Sequence, residues 1–148
     1  MIRFLLARPL MAFTVVALTV LGVGLPAFAA RPVPFQGRAD LIITSPQPLT
    51  AFAKGNATHL GRFTRTETIV VNPDGTFTAM LVFNAANGDR LYADAVGHFT
   101  SPAGDRAEGT YRFTGGTGRF QNASGQATFV IKPDAVGFDV TFKGTIQY

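Results

Sequence analysis

The chain contains no cysteine, so no disulfide can staple it and no thiol can act as nucleophile or metal ligand. It has no tryptophan and only two histidines, His59 and His98, far apart in sequence. A metal site would need a third ligand such as Asp94 or Glu67, so a structural or surface histidine is the preferred reading and no metal is expected. Ser45, Ser101 and Ser124 sit in turn-like or glycine-rich contexts without a Gly-x-Ser-x-Gly elbow, which leaves a serine hydrolase unsupported. Basic residues are scattered from Arg31 to Arg119 rather than gathered in a stripe with interleaved aromatics, and this argues against a nucleic-acid partner. No convincing 3.6-residue apolar period occurs beyond the first thirty residues, which leaves no room for crossover helices.

Those first thirty residues stand apart. Arg3 and Arg8 precede the apolar run Leu10 to Leu25, followed by Pro26 and the small-x-small end at Ala27 and Ala29. This is the layout of a secretory signal peptide over residues 1–29, with cleavage after Ala29. Gly22, Gly24 and Pro26 interrupt the apolar run, which disfavours the alternative of a membrane anchor of roughly 20 residues. The expected mature chain, residues 30–148, is therefore exported to a periplasmic or extracellular location and has no membrane span. Arg3 and Arg8 leave with the signal while all the acids remain, so the formal charge of +4 falls by two. The mature length suits one domain with its own core and is too short for two.

What fills that domain is period-two alternation. Phe35 to Ile43 reads as a strand; residues 45–56, with two prolines and a glycine, read as a loop or a broken edge. Thr58 to Asn72 reads as a long bent strand. Asn72-Pro-Asp-Gly75 and the Asn87-Gly88 pair are turn signals, and Ser101 to Asp105 and Pro133 to Gly137 close later runs. Short sequential connections imply antiparallel neighbours in an up-and-down meander, and closure removes its exposed edges. The fold class expected is all-β, a closed antiparallel barrel of about eight strands, preferred over an open sandwich. Glycines inside strands, such as Gly97, Gly109 and Gly144, suit the bends of a small barrel. Phenylalanine is plentiful, 14 residues, mostly at alternating or isolated positions where a sheet could bury it.

The densest glycine cluster lies at "TGGTGRFQNASGQATF", Thr114 to Phe129. It lacks the Gly-Lys-Ser/Thr ending of a phosphate loop and leads into a strand rather than a helix. A tight turn at Gly115 to Gly118 and a strand bend at Gly125 are the structural reading, with no nucleotide cofactor or any other. The run from Tyr111 to Phe129 resembles the signature of the allene oxide cyclase and dirigent-protein barrel superfamily: a strand ending in Gly-Gly-Thr-Gly-Arg-Phe, then a small residue, glycine and another strand. The "HLGRFT" segment, His59 to Thr64, is similar to small exported bacterial proteins of that kind. The resemblance implies a calycin-like eight-stranded barrel, often a trimer, whose lumen can hold an apolar ligand. Gly115, Gly116, Gly118, Phe120 and Gly125 are the positions that carry the motif, and their implied role is structural. The sequons Asn56-Ala-Thr58 and Asn122-Ala-Ser124 are read as coincidental in such an exported chain.

One polar pattern has chemical content. Arg90, Tyr92, Asp94 and His98 share one face of a strand by alternation, and Glu108, Thr110 and Arg112 form a similar stripe on the next. Inside a barrel they would make a polar lumen able to bind or to do acid–base work. Outside they would be a solvated face with ion pairs, which is the preferred reading. Three functions follow. The first is a non-catalytic exported barrel that binds a small apolar molecule or assembles with itself. The second is a cyclase- or dirigent-like isomerase using Tyr92, Asp94, Glu108 and Arg112, and the third a structural envelope protein. A lumen packed solid with rings would exclude both ligand binding and catalysis.

Overall fold

A computed structural model describes residues 31–148. The signal-peptide expectation falls on residues 1–29 and lies outside the described residues. Eight strands follow one another: β1 (Val33–Pro46), β2 (Leu49–Ala57), β3 (Gly61–Val71), β4 (Thr76–Asn84), β5 (Arg90–Phe99), β6 (Ala107–Gly116), β7 (Ser124–Pro133) and β8 (Phe138–Gln147). Each pairs antiparallel with its sequence neighbours, and β8 returns to β1 to close the barrel. The Asn72–Gly75, Ala86–Asp89, Ser101–Asp105 and Pro133–Gly137 turns all fall between strands, as their Pro, Asn, Asp and Gly content requires.

The segment 45–56 departs from the sequence reading. It is not a loop: Pro46 and Pro48 flank the β1–β2 connection, and Leu49–Ala57 is a full strand paired with β1 and β3. Proline is tolerated there because it stands at the strand ends, where no ladder N–H is lost. Beyond Leu49 the inward side chains of β2 are Ala51, Ala53 and Ala57, too small to give a strong apolar alternation.

Alternation sorts the chain cleanly between the two faces. On β1, Phe35, Ala39 and Leu41 point inward and are buried, whereas Gln36, Arg38 and Asp40 are exposed. The outer surface is polar and charged on most strands, with Lys54, Arg62, Arg112 and Lys143 among its residues. That is the reverse of a membrane barrel, which turns its apolar side outward. Among the described residues no helix is long and apolar enough to cross a membrane.

One half of the lumen is packed with rings. Phe35 stacks on Phe142 at 5.4 Å between centroids and meets Phe113 edge-on at 4.8 Å. Phe83 lies against Phe63 at 5.4 Å and Phe142 at 6.2 Å. Each such ring contributes about 1.5–3 kcal/mol by leaving water. Glycine supplies the room: a side chain at Gly37 would collide with the Phe142 ring at 2.6 Å.

The glycine cluster closes this end. Between Tyr92 and Ala93 the β5–β6 register shifts, leaving Thr114 unpaired as a bulge beside Gly115, which has φ +119°. The chain then turns through a 3₁₀ helix, Gly118–Phe120, that drives Phe120 into the barrel end, where it is fully buried beside Leu60 and Ala123. Gly118, at φ +54°, lies against the Asp89 carboxylate, so a methyl group there would meet Oδ1 at 2.1 Å. The sequence reading of a tight turn at 115–118 is thus refined to a bulged strand end followed by a plug.

Candidate functional site

At the opposite end the lumen stays open. The inward residues there include Ala79 on β4, Ala95 on β5 and Ala107 on β6, which are too short to meet across the barrel. They leave a cavity of about 210 Å³ walled by Leu41, Leu49, Ile69, Phe77, Phe129 and Phe138. This exceeds the roughly 150 Å³ void known to hold benzene and falls below the roughly 300–1,000 Å³ of pockets for larger ligands. The turn between β5 and β6 lies at its mouth through Gly104, Asp105 and Arg106. That turn is braced by a 2.5 Å hydrogen bond from Ser101 Oγ to Asp105 Oδ1.

The floor of the cavity is polar. Arg65 and Glu67, two residues apart on β3, both point inward, and Tyr111 reaches them from β6. Arg65 is 1% exposed. Its Nη1 donates to the Tyr111 hydroxyl at 2.7 Å, and its Nη2 lies 3.2 Å from Glu67 Oε2. The guanidinium also lies near two rings, 5.5 Å from the Phe83 centroid and 5.6 Å from that of Tyr111. Its Nε–H is buried with no partner. Burial works against the Arg65 charge, but Tyr111 and Glu67 more than offset it, so the group stays protonated.

Burial pushes the Tyr111 hydroxyl up to about 12, with Arg65 pulling the other way. It keeps its proton at any ordinary pH and can donate it. A phenol that is harder to ionise in the folded state binds its proton more tightly there than in the unfolded chain. Its stabilising effect is therefore complete below about pH 10 and is lost as pH rises through about 12, a change of about 2–3 kcal/mol. Phenolate absorbance should show Tyr111 titrating later in the folded protein than in the unfolded chain. A Tyr111 titration near 10 in the folded protein would contradict this.

Buried ion pairs seldom stabilise a fold relative to apolar side chains of the same size. This one sits where two more hydrophobic residues would have completed the core, beside an unfilled part of the lumen. A perturbed, desolvated cluster lining a cavity is the candidate functional site.

Comparison with protein-family models, curated proteins and solved structures finds no match for this chain. The site must be read from its own residues.

The stripe singled out by alternation stands elsewhere. Tyr92, Asp94, Glu108 and Arg112 all lie on the outer face of β5 and β6, where Arg112 Nη2 meets Asp94 Oδ2 at 3.0 Å and His98 meets Glu108 at 3.4 Å. All four of the paired side chains are substantially exposed, and such pairs contribute about 0–1 kcal/mol each. Arg90 is exposed at the start of β5. His59 is at the plugged end, in the β2–β3 turn with φ +65°, its Nε2 bonded to the Pro34 carbonyl and its Nδ1 to the Tyr148 hydroxyl. No group of three residues able to hold a metal ion occurs among the described residues. Ser101 serves the β5–β6 turn, and Ser45 and Ser124 lie at strand ends.

Arg65 and Tyr111 escaped the sequence reading, and Glu67 entered it only as a metal ligand. A signal was present. Phe63 and Ile69 share the parity of Arg65 and Glu67, so an apolar face carries two opposite charges; Tyr111 shares that of Phe113.

Proposed function

We propose that the protein is an exported, non-catalytic barrel that binds a small apolar molecule in the open half of its lumen. The observation that carries this reading is the cavity itself, with apolar walls and a buried Arg65–Glu67–Tyr111 floor. Burial of an apolar ligand against those walls supplies the affinity, at about 25 cal/mol per Å² of surface removed from water. The resemblance of Tyr111–Phe129 to the allene oxide cyclase and dirigent barrels agrees with a lumen ligand, and the signal-like leader with export. The self-assembly expected from the same resemblance would draw on Val70, Met80 and Val96, large apolar residues exposed on the outside of β3 to β5.

Native mass spectrometry of protein purified from its own host should show a non-covalent adduct of low mass. Ala95→Leu, which fills the cavity from its wall, should abolish the adduct while leaving the fold intact. An adduct that survives Ala95→Leu would place the ligand elsewhere, and a chain that takes up neither host molecules nor added small aromatics would end this reading.

The isomerase reading draws its support from the floor rather than the outer stripe: Tyr111 holds a proton it can donate, and Glu67 is the one carboxylate beside it. It predicts turnover that Glu67→Gln removes.

A further inference from the structure

The geometry points to a specific ligand class: an electrically neutral molecule, mostly hydrocarbon, carrying one hydrogen-bond-accepting oxygen such as a ketone, aldehyde or ester carbonyl. This rests on the lumen-binding reading above and narrows it. The first ground is the unpartnered donor. Arg65 lines the cavity, locked by Tyr111 through Nη1 and by Glu67 through Nη2, and its Nε–H is buried without an acceptor. A buried donor left unpaired is costly, and a donor on a charged group forms the stronger kind of hydrogen bond. The Tyr111 hydroxyl accepts from Arg65 and keeps its own proton to give. The floor therefore offers donors in search of an oxygen.

The second ground is charge. Arg65 and Glu67 cancel, so the floor holds no net charge with which to receive an anion. A ligand carboxylate there would set two negative groups on one guanidinium in a poorly solvated site, and burying a charge that lacks its own partner is strongly unfavourable. A ligand ammonium would face the Arg65 guanidinium in turn. The remaining charged lining groups, Asp105 and Arg106, are at the solvent end. The third ground is size and polarity: about 210 Å³, with the walls above the floor apolar, admits a single-ring or short branched skeleton and offers no second polar anchor along its sides.

Three probes of nearly one shape test this: acetophenone as the neutral acceptor, α-methylstyrene as its hydrocarbon counterpart and benzoate as the anion. With carbonyl-labelled acetophenone, the bound ¹³C resonance should move downfield of its position in cyclohexane, the signature of a hydrogen bond to the oxygen. Benzoate should fail to displace it. In the double variant Arg65→Met/Glu67→Leu, which replaces the pair by apolar groups, the resonance should return toward the cyclohexane value. Acetophenone affinity should there fall about tenfold or more, while that of α-methylstyrene should not weaken. The downfield shift and the benzoate result need no variant, so they stand even if the double variant does not fold. A bound acetophenone with a cyclohexane-like resonance overturns the proposal, as does benzoate binding as well as the ketone. If α-methylstyrene binds and acetophenone does not, the ligand class is wrong and the cavity reading survives. If none of the three binds, both fall.

Discussion

Glu67→Ala should lower the unfolding free energy by about 3 kcal/mol or more, while Arg65→Met/Glu67→Leu leaves it near the wild-type value or above it. The difference comes from what each change strands. Removing the carboxylate alone leaves the Arg65 guanidinium buried, and an arginine cannot escape by shedding its proton. Removing both partners takes out two desolvated charges and returns apolar volume to a core that already surrounds them with Phe83, Ala53 and Phe129. The single variant Arg65→Met should fall between the two, because a stranded Glu67 can take up a proton. Urea denaturation at neutral pH, with unchanged m-values, measures all three. A double variant as unstable as Glu67→Ala would mean that the pair holds the barrel together. The proposal that it is kept for a ligand would then lose its energetic basis.

Phe142→Ala should be as damaging by a different route, about 3–5 kcal/mol, out of a total of about 5–15 for a domain of this kind. Phe142 sits among Phe35, Phe63, Phe83 and Tyr111, with centroids between 5.4 and 6.2 Å away, on an inward position of β8. Four rings held from β1, β3, β4 and β6 cannot all follow it inward, so a void remains. A fall in Tm of roughly 10 °C or more is expected. The void also adjoins Tyr111, which lines the open cavity, so on the proposed lumen-binding reading the variant should accept bulkier hydrocarbons. A loss below about 1 kcal/mol would show that the packed half collapses freely and is less rigid than its ring contacts imply.

Much of the barrel was legible in the chain, for identifiable reasons. Asn72–Gly75 and Asn87-Gly88 mark turns by backbone chemistry that tertiary context does not override, and alternation on β1 and β8 sets apolar Phe35, Leu41, Val140 and Phe142 against polar neighbours. β2 was hidden because a narrow barrel wants alanine at Ala51 and Ala53, and alanine alternation carries little contrast. The floor of the cavity was hidden more deeply. In β3 the outward positions between Arg62 and Val70 are threonines and the inward ones include an arginine and a glutamate, so local polarity points the wrong way at the residues that matter. Only Phe63 and Ile69, a residue pair on either side, betray the facing. The stripe on β5 and β6 drew attention for the opposite reason: charged residues in strict alternation are conspicuous because they are solvated.

The Phe120 plug has a kinetic consequence. With Phe120, Leu60 and Ala123 buried at one end, the ligand proposed above would enter and depart by the same gap beside the Thr100–Arg106 turn. An incoming molecule cannot push a resident one through, and two cannot pass. On that reading exchange would be strictly sequential, its rate set by the departure of the first occupant and indifferent to the concentration of the second.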